Sequence, residues 1–176
     1  MAQRRAQSIN DVPISITAVS GEDLSKANVT NTKELPLVTP GLRIENTGFN
    51  SQPALRGIAS YGSGPGSEPN VALYVDGVYQ PFQGINIIQL ADVSRVEVLK
   101  GPQGTLFGRN ATGGAIQIFT RDPSFEPTGK FEGSYGRFND TSLSGFLSFP
   151  LVSDAVAVSL TGSHESSDGW NRHLVT

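Results

Sequence analysis

The chain has 176 residues, 20 of them glycine and 11 proline, with a formal net charge of −3. That length suits one ordinary domain, or one small domain with an appendage. The absence of cysteine excludes disulfides and thiolate metal sites. The 47 Leu, Ile, Val and Phe residues exceed a quarter of the chain, enough to build a core. Apart from Arg4-Arg5, Lys and Arg are scattered singly, so no basic face for nucleic acid is expected. His164 and His173 both lie near the C-terminus, which leaves no histidine for a catalytic triad in the body of the chain. No run approaches about 18 consecutive apolar residues, the length of a membrane-spanning helix. Met1 to Ser20 carries Arg4 and Arg5 without a following apolar stretch, so this sequence reads as lacking a signal peptide.

Charge divides the chain in two. Residues 1–125 carry ten basic and ten acidic side chains, whereas residues 126–176 carry three basic (Lys130, Arg137, Arg172) and six acidic. The hydrophobic pattern changes at the same place, around Asp122-Pro123 and Glu126-Pro127. The first piece reads as α+β. Val12 to Val19 alternates as a short strand, and Ser20 followed by Glu22 and Asp23 marks a helix start. A second short helix spans Thr30 to Leu37, capped by Thr30 or Asn31 and ended by Pro36 and Pro40-Gly41. Leu42–Ile44 and Ala54–Ile58 are brief strand candidates. Val71–Val75 and Val78-Tyr79 flank Asp76-Gly77, a strong hairpin signal. Ile85 to Leu90 suggests a helical turn. Val93–Leu99 and Ala115–Thr120 are strands with Val93, Val96, Val98, Ile116 and Ile118 in the core.

The second piece alternates with period two over longer runs. Val156, Val158, Leu160 and Gly162 alternate with Ala157, Ser159, Thr161 and Ser163. Leu143, Gly145, Leu147 and Phe149 alternate with Ser142, Ser144, Phe146 and Ser148. Phe131, Gly133 and Tyr135 follow the same rule less cleanly. Runs of about nine or ten residues exceed the usual soluble strand and match a tilted outer-membrane barrel strand. An amphipathic meander over a soluble core has the same pattern. Turns are expected at Asn139-Asp140 and Val152-Ser153-Asp154.

Motifs for chemistry are few. Gly101 to Gly114 holds five glycines and follows a strand, as a phosphate loop does. It lacks the Gly-Lys-Ser/Thr ending and any dinucleotide spacing, so it reads as a structural turn. Gly62-Ser63-Gly64 lacks the flanking glycines of a nucleophile elbow. Asp76 reads as turn chemistry. No enzyme, cofactor or metal site is indicated. Arg56, Arg95, Glu97, Lys100 and Arg109 sit in or beside apolar strands. Arg95 and Glu97 share one face of a strand, which is either solvent-exposed or itself enclosed with its charges paired.

Five stretches, taken in order, resemble the plug domain of TonB-dependent outer-membrane receptors. They are Asp11–Ser20, Leu35–Leu42, Leu55-Arg56-Gly57, Val71–Tyr79 and Ser94–Ile118, the last reading SRVEVLKGPQGTLFGRNATGGAIQI. The resemblance covers residues 5–125, and residues 126–176 resemble the first three strands of the family's barrel. It implies a plug with a small mixed sheet and short helices inside a barrel of about 22 strands. It also implies uptake of a scarce nutrient such as a ferric siderophore, driven by the inner-membrane TonB complex. The partners implied are that complex, the chain's own barrel, the outer membrane, and a small-molecule or metal-chelate substrate. The segment gripped by TonB and roughly nineteen of the strands lie outside this sequence, which therefore reads as an N-proximal fragment, not transport-competent alone. A free-standing plug-like periplasmic binding module is the alternative.

By this resemblance three loops, 45–52, 59–70 and 79–86, face the substrate. Asn46, Phe49, Asn50, Tyr61, Tyr79, Gln80, Phe82 and Gln83 supply aromatic area and amide groups there. Arg56, Arg95, Glu97, Lys100 and Arg109 are implied to pair charges between plug and barrel.

Overall fold

A computed structural model describes residues 15–47, 50–60, 69–81, 88–152 and 155–169. The chain forms two units, residues 1–120 and 121–176. In the first, the strands are β1 (Ser15–Ser20), β2 (Leu42–Thr47), β3 (Asn50–Leu55), β4 (Val71–Val75), β5 (Val78–Tyr79), β6 (Val93–Lys100) and β7 (Gly114–Thr120). Five of them make a mixed sheet in the order β1-β6-β7-β4-β5, and β2 pairs with β3 in a separate hairpin. Among the described residues only β4 and β7 run parallel.

Both faces of the central strands are covered, which is why they read as near-continuous apolar runs. On one face Val93, Val96, Val98, Ile116 and Ile118 are buried with Leu24, Leu35 and Leu55. These five sheet residues are the expected core. A register shift between Val93 and Arg95 lets Val93 share the face of Val96 and Val98. On the other face Ala72, Tyr74, Leu99 and Ala115 lie beneath Phe107 and Ala111.

Helix α1 (Gly21–Lys26) begins where the sequence places it, with the Ser20 hydroxyl accepting the Asp23 amide at 3.1 Å. The second helix differs. Asn31 is its cap, in a capping box with Glu34, and residues Thr32–Leu37 wind as a 3₁₀ helix. Pro36 lies inside this helix, not after it. The expected strand at Ala54–Ile58 ends at Leu55, because Arg56 (φ 51°) and Gly57 (φ 82°) reverse the chain. Of the expected turn at 85–90, residues 85–87 lie outside the described residues. Ile88 to Leu90 is not helical; Gln89 bridges to Asn31. The Gly101–Gly114 segment contains one helical turn, α2 (Gly104–Phe107), which the glycine content concealed.

The second unit is an antiparallel meander of β8 (Thr128–Tyr135), β9 (Thr141–Val152) and β10 (Val156–Ser166). Cross-strand partners keep one phase. Gly129, Leu147 and Leu160 form one row, Phe131, Gly145 and Gly162 the next, then Gly133, Leu143 and His164. Phe131, Leu143, Leu147 and Leu160 on this face are exposed. The opposite face carries Glu132, Ser144, Phe146, Ser148 and Thr161. There the Arg121 guanidinium lies 5.3 Å from the Phe146 ring centroid, and the Ser124 amide donates to Ser148 Oγ at 2.8 Å. The Asn139-Asp140 turn forms with Phe138 and Asn139 at positive φ (62° and 54°). Ser153 and Asp154 lie outside the described residues.

Candidate functional site

Sheet register places several connections together. Val71 stands opposite Gly114, Lys100 opposite Gly114, and Ser15 opposite Lys100. The segments 56–70 and 101–113 therefore meet the sheet at this end, whereas 80–92 leaves β5 beside Leu73 and joins β6 at the other end, where Val93 stands opposite Thr120. The β4–β5 hairpin closes at the other end through Asp76 (φ 48°) and Gly77 (φ 81°). Asp76 does more than turn the chain: its carboxylate accepts the Thr120 amide at 2.9 Å and the Thr120 hydroxyl at 2.7 Å. That fastens the turn to the end of β7.

Tyr79 returns the chain to the first end. Its ring lies 5.5 Å from Tyr74, and its hydroxyl accepts a hydrogen bond from Asn110 Nδ2 at 2.6 Å. Tyr74 in turn stacks 5.2 Å from Phe107 and donates its hydroxyl to the Phe107 carbonyl at 2.6 Å. Gln80 follows, its amide donating to Leu73 at 2.9 Å and its side chain to the Val78 carbonyl at 3.3 Å. Of the other substrate-facing candidates, Phe49, Tyr61, Phe82 and Gln83 lie outside the described residues. Asn46 and Asn50 are opposed to Ser51 and Thr47 in the β2–β3 hairpin; only their backbone is described. Tyr79 and Gln80 are thus the two candidates with described side chains, and they are sequence neighbours.

The five charged candidates separate into groups. Arg95 donates from Nε to Glu97 Oε1 at 2.7 Å, and its guanidinium carbon lies 3.8 Å from the Phe119 ring centroid. Glu97 is buried, while the Arg95 side chain keeps 38% exposure. Burial alone would push the Glu97 carboxyl up; the Arg95 hydrogen bond and nearby positive charge outweigh it and hold the group below the usual carboxylate range. This face is enclosed at Glu97 and open at Arg95. Gln117, opposite Glu97 in the next strand, is also buried, and its Nε2 has no partner among the described residues.

Arg56 and Lys100 form the second group, at the other end of β6. Arg56 donates to Ser15 Oγ at 2.8 Å. Burial lowers the Lys100 ammonium below its usual value, and the Arg56 charge adds to the effect. Arg109 is exposed beyond α2. Asn110, Asn70 and Phe119 were not singled out by the sequence, since each acts through a partner far along the chain. Among the described residues no cluster of His, Asp or Glu suits a metal ion.

A mixed sheet with charges on one face, followed by three long antiparallel strands, is the arrangement of a receptor plug with appended barrel-type strands. Residues 8–115 match the family model described as TonB-dependent Receptor Plug Domain, and the chain belongs to that family. It is 44% identical over 169 residues to the pesticin receptor of Yersinia pestis, covering 94% of this chain and 24% of that protein. The iron-regulated outer membrane virulence protein of Vibrio cholerae is 29% identical, with 93% of this chain and 26% of the relative covered. The crystal structure of the ferric yersiniabactin uptake receptor from Yersinia pestis superimposes with a TM-score of 0.79 at 39% identity, over 91% of this chain and 26% of that one. The chain thus spans about a quarter of the length of the relatives it matches. Two of these relatives are receptors and the third is an outer membrane protein.

Proposed function

We propose that residues 1–125 are the plug, and residues 126–176 the first barrel strands, of an outer-membrane receptor that imports a ferric siderophore. The plug fills the barrel lumen, the TonB complex of the inner membrane supplies the energy, and this piece alone transports nothing. The observation that carries this reading is the continuous apolar face of the second unit next to a family plug. From Leu143 to Leu151 that face runs eight residue steps, about 27 Å at roughly 3.4 Å each. With a strand tilt of about 40° this becomes a band of roughly 20 Å, close to the apolar belt of about 25 Å on such barrels. The likeness to the uptake receptor also extends beyond the plug model, over 91% of the chain. That favours a receptor over a free-standing periplasmic module.

Within this reading Tyr79 and Gln80 belong to the substrate-facing surface with Asn46, Phe49, Asn50, Tyr61, Phe82 and Gln83. The same reading gives Arg56, Arg95, Glu97, Lys100 and Arg109 to charge pairing between plug and barrel wall. The test is to express the receptor that carries this chain in an iron-starved strain without other siderophore receptors. Uptake of radiolabelled ferric yersiniabactin should appear and should depend on TonB. No uptake of this or other ferric siderophores, or uptake that persists without TonB, would overturn the proposal.

A further inference from the structure

Residues 101–113 cross the end of the sheet where β6 finishes and β4 and β7 begin, and they touch Asn70 and Tyr79. The segment starts at Gly101 (φ 107°) and hands over to β7 at Gly114 (φ 144°), both in backbone conformations that favour glycine. Its neck is closed by the Gly101 amide donating to the Gly113 carbonyl at 3.2 Å. Phe107 and Ala111 seat it on the small residues Ala72 and Ala115.

From this seat it holds two separate parts of the chain. On one side Asn110 donates to the Tyr79 hydroxyl. On the other, the Gly113 amide donates to the Asn70 carbonyl at 2.7 Å, and the Thr112 hydroxyl to Asn70 Oδ1 at 3.1 Å. A Cβ on Gly113 would stand 2.9 Å from Ile58 Cγ2, so glycine is what permits this approach. Asn70 itself ties back to residues 59 and 60, through Nδ2 to the Ala59 carbonyl and its amide to Ser60 Oγ. The seat is incompletely satisfied: Asn110 Oδ1 is buried with no partner among the described residues.

We propose that residues 101–113 are a strap that joins Asn70 and Tyr79 into one unit, so that these two residues seat and release together. Asn110 and Thr112 are its positioning residues. Coupling of this kind is reciprocal: loosening either contact loosens the other. The strap's bearing on substrate rests on the reading of Tyr79 and Gln80 as substrate-facing; the coupling itself does not.

The test is amide hydrogen exchange on the 176-residue chain in detergent micelles. Tyr79→Phe removes only the hydroxyl and keeps the ring on Tyr74. It should speed exchange at the Gly113 amide by about tenfold. Thr112→Val should do the same at the distant Gln80 amide, and Thr112→Ser should restore it. Amides between β1 and β6 should not change, which separates strap release from general loosening. If each substitution is felt only on its own side, or if β1–β6 amides change equally, the strap is not a coupling element. In the intact receptor, Thr112→Val should weaken ferric yersiniabactin binding severalfold. Unchanged binding with the exchange coupling present would sink the substrate-facing reading and leave the strap standing.

Discussion

Arg95 is held between two neighbours of different kind, with its Nε 2.7 Å from Glu97 Oε1 and its guanidinium carbon 3.8 Å from the Phe119 ring centroid. One contact neutralises a buried carboxylate; the other stacks a cation on a ring. Arg95→Ala removes both, and the buried Glu97 carboxylate loses the hydrogen bond and charge that Arg95 supplies. Breaking a fully buried pair costs about 3–5 kcal/mol. Because Arg95 keeps 38% exposure, water reaches the site, and a loss of about 1–2 kcal/mol is expected in this chain without any barrel. Denaturant titration in micelles reads this directly. A loss below about 0.5 kcal/mol, as for an ordinary surface substitution, would mean that Glu97 draws its stability from elsewhere.

The same pair sets a pH dependence. The Glu97 carboxyl lies below its ordinary value in the folded chain, so it contributes stability above the unfolded value, about 4.3. That contribution is lost as pH falls through the folded value. Stability of the wild-type chain should therefore fall from about pH 5 downward. Glu97→Gln should show a shallower fall over the same range, measured by unfolding at a series of pH values. An equal slope in both proteins would remove Glu97 from the account.

Asp76 carries a second local prediction. Asp76→Ala deletes the acceptors for the Thr120 amide and hydroxyl and places alanine at φ 48°. A loss of about 1–2 kcal/mol is expected from these two causes. Asp76→Asn keeps a residue that tolerates this backbone and one acceptor oxygen, so it should cost clearly less. If the two variants unfold together, the carboxylate bonds to Thr120 contribute nothing beyond the turn.

Gly114 is a position where side-chain volume decides. A Cβ there would lie 2.3 Å from the Leu99 carbonyl oxygen and 2.6 Å from Leu55 Cδ1, at φ 144°. Gly101, at φ 107°, has open space around its missing Cβ. Gly101→Ala should then cost only the backbone strain, roughly 1–2 kcal/mol. Gly114→Ala adds a backbone clash between adjacent strands and should cost at least about 2 kcal/mol more. Equal thermal unfolding of the two variants would contradict the packing at Leu99.

Much of this was legible in the sequence because it is local. The Asp76-Gly77 hairpin, the Ser20 cap and the alternation of β9 and β10 each follow from a few adjacent residues. What failed was competition between local rules. Pro36 ought to end the second helix, yet it lies inside a 3₁₀ helix behind the Asn31–Glu34 box. Arg56 looked like a strand residue until its positive φ showed a turn. At the candidate site the charges were visible, but their pairing was not. Arg95 and Glu97 are two apart on one strand, and only the burial of Glu97 shows that their partnership is internal. Asn110 and Asn70 could not be found this way, because nothing near them in sequence names Tyr79 or Thr112 as a partner.

The membrane reading of the second unit makes a prediction about sidedness. Leu147 lies midway along the apolar face, opposite Leu160 on β10, and both are exposed. If that face meets lipid, an arginine at either position sits near the bilayer midplane, where it costs about 2–4 kcal/mol. Ser163, on the opposite face of β10, would point into the barrel, where arginine can find water. Leu147→Arg and Leu160→Arg in the intact receptor should therefore reduce stability in lipid vesicles by that amount, whereas Ser163→Arg should change it by less than about 1 kcal/mol. Urea titration of receptor folded into vesicles separates the cases. In this chain without lipid, both leucines already face solvent, so the same substitutions should be nearly neutral or improve solubility. The contrast between the two settings isolates the bilayer as the cause. Should Ser163→Arg prove the costlier change in vesicles, the faces are reversed and the three strands do not sit in a membrane as proposed.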